Sequence, residues 1–165
     1  MSILKMYRIL TALILLYSGT SYSGSLPRID EHLVDEVFAG AIKSIDFSSN
    51  GSASKYKSTL KEAVGKRANF GGRYNLSFIG CGSMCQVFVA VEVETGRVVD
   101  IVNSNLGGCF QEDSNLFISN PKLVSAFGGT VPKWAHSKYY KITPNGFELL
   151  LETKEEYTGE CKYGQ

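Results

Sequence analysis

The most reactive side chains in this chain are four cysteines, Cys81, Cys85, Cys109 and Cys161, and two histidines, His32 and His136. Such a set could cross-link, do thiol redox or nucleophilic chemistry, or bind zinc. A redox dithiol usually separates its sulfurs by two residues and opens a helix, whose dipole lowers the thiol pKa. Here Gly82-Ser83-Met84 intervenes, and the residues that follow alternate like a strand. A cysteine nucleophile needs a base within hydrogen-bond reach, and no spacing ties either histidine to a sulfur. Zinc sites repeat close-set pairs of Cys or His; here the remaining ligand types are scattered. Glu112-Asp113 and Glu155-Glu156 are adjacent carboxylates, which on a strand point to opposite faces. Gly107-Gly108 and Gly128-Gly129 read as turns, without the strand-glycine-helix setting of a phosphate loop. No catalytic set, metal or cofactor is expected, and the sulfurs read as structural cross-links.

The elements that would carry these residues change character along the chain. Residues 29–47 place Leu33, Val34, Val37, Phe38, Ala41, Ile42 and Ile45 at helical spacing, with Asp30 and Glu31 near the start. Ser54 could cap a second helix through Val64, with Tyr56, Leu60 and Val64 on one face and Gly65 as its stop. From Arg73 the period becomes two. Tyr74, Leu76 and Phe78 alternate, then Val87, Val89, Val91 and Val93. Glu94-Thr95-Gly96-Arg97 is a turn feeding Val98 to Val102, and Leu116 to Ser119 is a short strand. Pro121 to Phe127 reads as one or two helical turns. Tyr139 to Thr143 and Phe147 to Glu152 form a hairpin about Pro144-Asn145-Gly146. Short links between strands require antiparallel pairing. The fold class expected is therefore α+β: N-terminal helices, about 29–65, packed on a mainly antiparallel sheet of about five to six strands, about 73–155, in one disulfide-bonded domain.

Within that frame Gly82-Ser83-Met84 becomes a three-residue hairpin loop, with Cys81 and Cys85 facing across its base. Opposed residues in an antiparallel pair sit about 4.5–5.5 Å apart at Cα, and a disulfide wants about 4.4–6.8 Å. Cys109 and Cys161 would then pair by elimination and tether the polar tail from Tyr157 to Gln165. Loop entropy does not choose among the three possible pairings. Strand geometry alone favours this one.

The first residues decide the compartment. Lys5 and Arg8 precede an apolar run from Ile9 to Tyr17, then small and polar residues follow. That order is the secretory signal pattern, with a cut expected after Ser23. The run is too short to span a bilayer, which takes about 20 residues, so no stable membrane span is expected after cleavage of residues 1–23. All four cysteines lie in 24–165, and an even count suits an oxidising destination. The chain carries 17 basic and 16 acidic side chains, a balance that gives nucleic acid no electrostatic footing. Asn50-Gly51-Ser52 and Asn75-Leu76-Ser77 are glycosylation tripeptides that would matter only on a eukaryotic secretory route.

Three stretches look familiar together: Asn69-Phe70-Gly71-Gly72-Arg73-Tyr74, Gly80-Cys81-Gly82-Ser83-Met84-Cys85-Gln86 and Glu94-Thr95-Gly96-Arg97-Val98. They resemble a family of exported bacterial proteins with the pattern N-F-x-G-x-Y, W-G-C-G-x-x-C-x and D-x-x-T-G-x-V. Ile79 stands where that pattern commonly has Trp, and Gly72-Arg73 where Gly-His is usual. The resemblance implies export, a β-rich domain and a bacterial envelope location; it carries over no activity. One further cluster, Trp134 to Tyr140, gathers large aromatics and His136 beside a glycine-proline loop, and Trp and Tyr are enriched where proteins meet partners. The function expected is a secreted or periplasmic non-enzymatic binding module, of the inhibitor or immunity type, acting on another envelope protein. Its contact surface is expected at Gly82, Ser83, Met84, Trp134, His136 and Tyr139. The alternative is a cysteine-dependent enzyme, a thiol redox protein or a Cys/His hydrolase using Cys81 or Cys85.

Overall fold

The computed structural model describes residues 25–122 and 130–162. The leader, residues 1–23, and most of the helical turn expected at 121–127 lie outside the described residues. Among those described, seven strands form two antiparallel sheets. The first sheet has the order β1 (Tyr74–Gly82), β2 (Cys85–Glu92), β3 (Val98–Ser104). The second has the order β4 (Gly108–Cys109), β5 (Leu116–Ser119), β6 (Ser137–Thr143), β7 (Gly146–Thr153). The expectation of one sheet of five to six strands is thus corrected. Gly108, read from sequence as a turn residue, pairs with Ser119 in a strand of two residues.

The sheets pack face to face because β2 and β5 are apolar on both sides. Val87, Val89 and Val91 point away from the second sheet; Phe88 and Ala90 point toward it. Between the sheets lies an aromatic core centred on Phe70, Phe88, Phe110 and Phe117, all buried. Phe88 and Phe117 have ring centroids 5.0 Å apart, and Phe70 meets Phe110 edge-on at 5.8 Å, the geometries ring quadrupoles favour. One side of the sandwich is latched: Phe147 N–H donates to Asp100 Oδ2 at 2.8 Å, and Arg97 Nη2 donates to the Pro144 carbonyl at 2.8 Å.

The N-terminal helices are the larger correction. Residues 29–47 hold only a 3₁₀ turn, Ile29–Glu31, then an extended strap. Its backbone donates to four loops in turn: Val34 N to Asp113 O, Phe38 N to Gly72 O, Ile42 N to Lys66 O and Asp46 N to Gly96 O, at 2.7–2.9 Å. The donors recur every fourth residue, and so do two sets of apolar side chains: Val34, Phe38 and Ile42, and Leu33, Val37, Ala41 and Ile45. A spacing of four puts residues on one side of a helix, but an extended chain of period two does the same. The sequence pattern was genuine, and its helical interpretation was one of two the spacing allows. The second expected helix is shorter than 54–64: a 3₁₀ turn, Ala53–Tyr56, runs into α1, Lys57–Glu62. Ser54 sits inside that turn; Asn50 Oδ1 instead accepts from Ser52 N–H at 2.9 Å. Strap and helix together cover the outer face of the first sheet, burying Ile42, Leu60 and Ala63 against the valines of β2. No helix among the described residues is long and apolar enough to cross a membrane.

Candidate binding surface

The hairpin β1–β2 ends in an uncharged tip. Cys81 and Cys85 are disulfide-bonded with Cα atoms 5.1 Å apart. The register differs from a three-residue loop: Gly82 pairs with Cys85, and a bulge between Gly80 and Gly82 leaves Cys81 as the extra residue. The turn itself is Ser83-Met84, with Met84 at φ 54°. A bulge bends its strand and increases the local twist; the disulfide closes that bend. Gly82 and Ser83 are exposed, and the Met84 side chain is 47 % exposed.

The Trp134 region lies at the same end of the fold. Gln86, next to the neck, pairs with Ser104 at the end of β3. The Ser104 hydroxyl donates to Asn120 Oδ1 at 3.0 Å, and Asn120 Nδ2 donates to the carbonyls of Trp134 and His136 at 3.0 and 3.1 Å. Asn120 is buried and holds φ 52°, a left-handed conformation that Asn tolerates better than most residues. Its Oδ1 also accepts from the backbone N–H groups of Asn105 and Leu106 at 2.8 Å, and its own carbonyl accepts from Ser137 Oγ at 2.7 Å. One side chain thus ties the β3–β4 link to the start of β6. Sequence reasoning passed over Asn120; its one signal was Asn120-Pro121 at the end of an apolar strand, a turn-initiating pair. Trp134 sits in a 3₁₀ turn, Lys133–Ala135, that follows Pro132, with its side chain 43 % exposed.

Of the other expected contact residues, His136 is partly covered and Tyr139 is not at the surface. His136 Nδ1 lies 2.9 Å from Glu152 Oε1, and Lys138 Nζ stands 4.0 Å from the other carboxylate oxygen. Tyr139 is 0 % exposed and belongs to the core beneath the C-terminal tail, meeting Tyr157 edge-on. The residues beside Tyr139 on β6, Lys138 and Tyr140, are themselves partly buried, so alternation did not mark Tyr139 as core. Burial, with the nearby Tyr157 and Glu155, pushes its phenol up to about 12. The tail is held there by the second disulfide, Cys109–Cys161, whose Cα atoms are 5.3 Å apart across a separation of 52 residues. All four cysteines are therefore bonded, and a cysteine-dependent reaction would first require one of these bonds to open.

Two hollows among the described residues do not gather a catalytic set. One of about 340 Å³ lies between the strap and Gly71-Gly72-Arg73; one of about 420 Å³ lies between Arg28, Asp30 and the tail at Tyr157 and Glu160. Among the described residues no three His, Cys, Asp or Glu side chains converge as metal ligands would. Gly72 in the first hollow and Gly96 outside it are joints for the strap. A Cβ on Gly72 would stand 2.3 Å from the Glu36 carbonyl, and one on Gly96 would overlap that of Ser44; both glycines hold positive φ and take a strap hydrogen bond. The Asn69–Tyr74 and Glu94–Val98 stretches are thus docking points for the strap, and Gly80–Gln86 is the hairpin tip. The Asn75 amide is buried and donates to the Arg67 carbonyl at 2.8 Å, so that glycosylation tripeptide is not presented to solvent. Comparison with protein-family models, curated proteins and solved structures returns no match.

Proposed function

We propose that this chain is an exported binding module whose contact surface is the disulfide-necked turn Gly82-Ser83-Met84 together with Trp134. The partner is another protein of the bacterial envelope, whose own site this end of the fold would cover, as an inhibitor or immunity protein does. The observation that carries the reading is the tip itself: an uncharged turn cross-linked at its neck, with an exposed thioether, at the same end as an exposed indole. A cross-linked turn loses little conformational freedom on binding, and Met and Trp are effective contact side chains. Export accords with the basic and apolar start of the sequence, with the family resemblance and with two disulfides, which persist in oxidising compartments.

The test is comparative. Envelope extract is passed over immobilised mature protein and over the Met84→Lys/Trp134→Ala variant, after both are shown to melt at the same temperature. A protein retained by the first and lost by the second supports the reading; equal retention, or none, removes it. Intact mass of the native protein, before and after reduction, checks the compartment. A chain beginning at Gly24 that gains two hydrogens per disulfide is expected, and a chain beginning at Met1 with four free thiols would overturn export.

A further inference from the structure

The free edge of β1 is already paired over half its length by the chain's own residues, and the remainder is open. Tyr74 N–H donates to the Phe70 carbonyl at 2.9 Å. Leu76 N–H donates to Asn69 Oδ1 at 2.7 Å, and Asn69 Nδ2 donates back to the Leu76 carbonyl at 3.2 Å. The Asn69 amide thus does what a neighbouring strand would do. Backbone groups of alternate residues face the same side of a strand, so those of Phe78 and Gly80 also face outward, and no hydrogen bond meets them among the described residues. The Phe78 ring, 54 % exposed, stands beside them. The long edge of the second sheet differs: β7 carries Glu148 and Glu152 and is bulged at Leu150, devices that discourage added strands. No charged residue lies between Phe78 and Met84.

We infer that this open stretch pairs with the same stretch of a second copy, antiparallel, about a twofold axis at Ile79. The sequence there is self-complementary under that operation. Phe78 of one copy faces Gly80 of the other and exchanges both backbone hydrogen bonds with it; the reciprocal pair does the same, giving four. Residues directly opposed share a sheet face, so each exposed ring lies over a residue with no side chain, the aromatic cover that suits an edge glycine. A Cβ on Gly80 would meet only the same copy's Phe78 ring, at 3.9 Å, so nothing else of the chain covers the glycine. Asn69 stops the pairing at one end and the bulge at Cys81 at the other. The contact is therefore shorter than a standard interface and belongs in the weak, concentration-dependent class. Opposed strands would aim the two tips in opposite directions, so the pair is a bivalent binder.

Sedimentation of the wild-type protein from micromolar to millimolar concentration is the experiment, with Gly80→Pro beside it. Proline is accepted on an edge strand where its missing N–H would face solvent, so that variant should fold and stay monomeric. An Ile79→Cys variant supplies a second reading, because a non-hydrogen-bonded cross-strand pair, about 4.5 Å apart at Cα, is within disulfide reach. A covalent dimer is expected on air oxidation, and none when Gly80→Pro is added. A wild-type protein that stays monomeric throughout overturns the inference. So does a dimer that survives Gly80→Pro, which would place the contact on another face.

Discussion

The two disulfides do opposite work. Cys109–Cys161 is buried at Cys109, joins residues 52 apart, and holds the tail over Leu116, Ile118 and Tyr139. Cys81–Cys85 spans four residues at the surface and covers no core. One cross-link keeps a layer of the fold in place. The other stiffens a turn whose removal would leave both sheets intact. The same bond chemistry thus holds a buried layer in one case and an exposed turn in the other.

The contrast can be broken or sharpened by mutation. Replacing Cys109 and Cys161 together with Ser is expected to cost about 4 kcal/mol on loop entropy alone, measured by urea unfolding. The same variant should change the alkaline titration. In the native protein the Tyr139 phenol is raised from 10.0 to about 12 by burial and by Tyr157, in the tail, and Glu155, just before it. A raised folded-state pKa favours the native state below the ordinary value and withdraws that contribution as pH climbs through the folded one. Native stability should therefore fall between about pH 10 and 12, with the Tyr139 phenolate appearing late in the absorbance titration. Freeing the tail should return that late phenolate toward 10. If it stays near 12, the tail is not what shields Tyr139.

Asn120→Ala comes next, at about 3 kcal/mol, because it strands the partly buried backbone donors of Asn105 and Leu106 and places Ala at positive φ. Faster hydrogen exchange at those two amides would locate the damage. Opening the neck with Cys81→Ser/Cys85→Ser should cost only about 2 kcal/mol, while weakening partner capture. If stability falls as far as it does for the tail disulfide, the division of labour fails. The smallest effect is Tyr139→Phe. Its hydroxyl is buried without a hydrogen-bond partner among the described residues, so the change should be neutral or stabilise by up to about 1 kcal/mol.

Strands were legible wherever alternation or a solid apolar run had room to register, as in Tyr74 to Phe78 and Val87 to Val93. The cysteine pairing was legible because a hairpin brings both ends of its turn together, although the expected register was not: Cys85 faces Gly82, and Cys81 reaches it from the bulge. The strap was not, since Val34, Phe38 and Ile42 recur at a spacing that helix and extended chain share. Nor was the division into two sheets. Gly108–Cys109 is too short to show a period, and only the solid run Leu116-Phe117-Ile118 hinted at burial on both faces. The tip was visible in its cysteines. The open edge beside it was not, because whether Phe78 and Gly80 have neighbours depends on Asn69, whose amide takes a strand's place only after the chain has folded.

Counting residues matters in the strap in a way it does not in an ordinary loop. Its four anchor points sit an even number of residues apart, so its grip depends on parity. Removing one residue, such as Ala39, would turn Ile42 outward and face Lys43 toward the valines of β2, although every side chain needed is still present. Surface connections usually shrug off a missing residue; this one would misread it as a change of side.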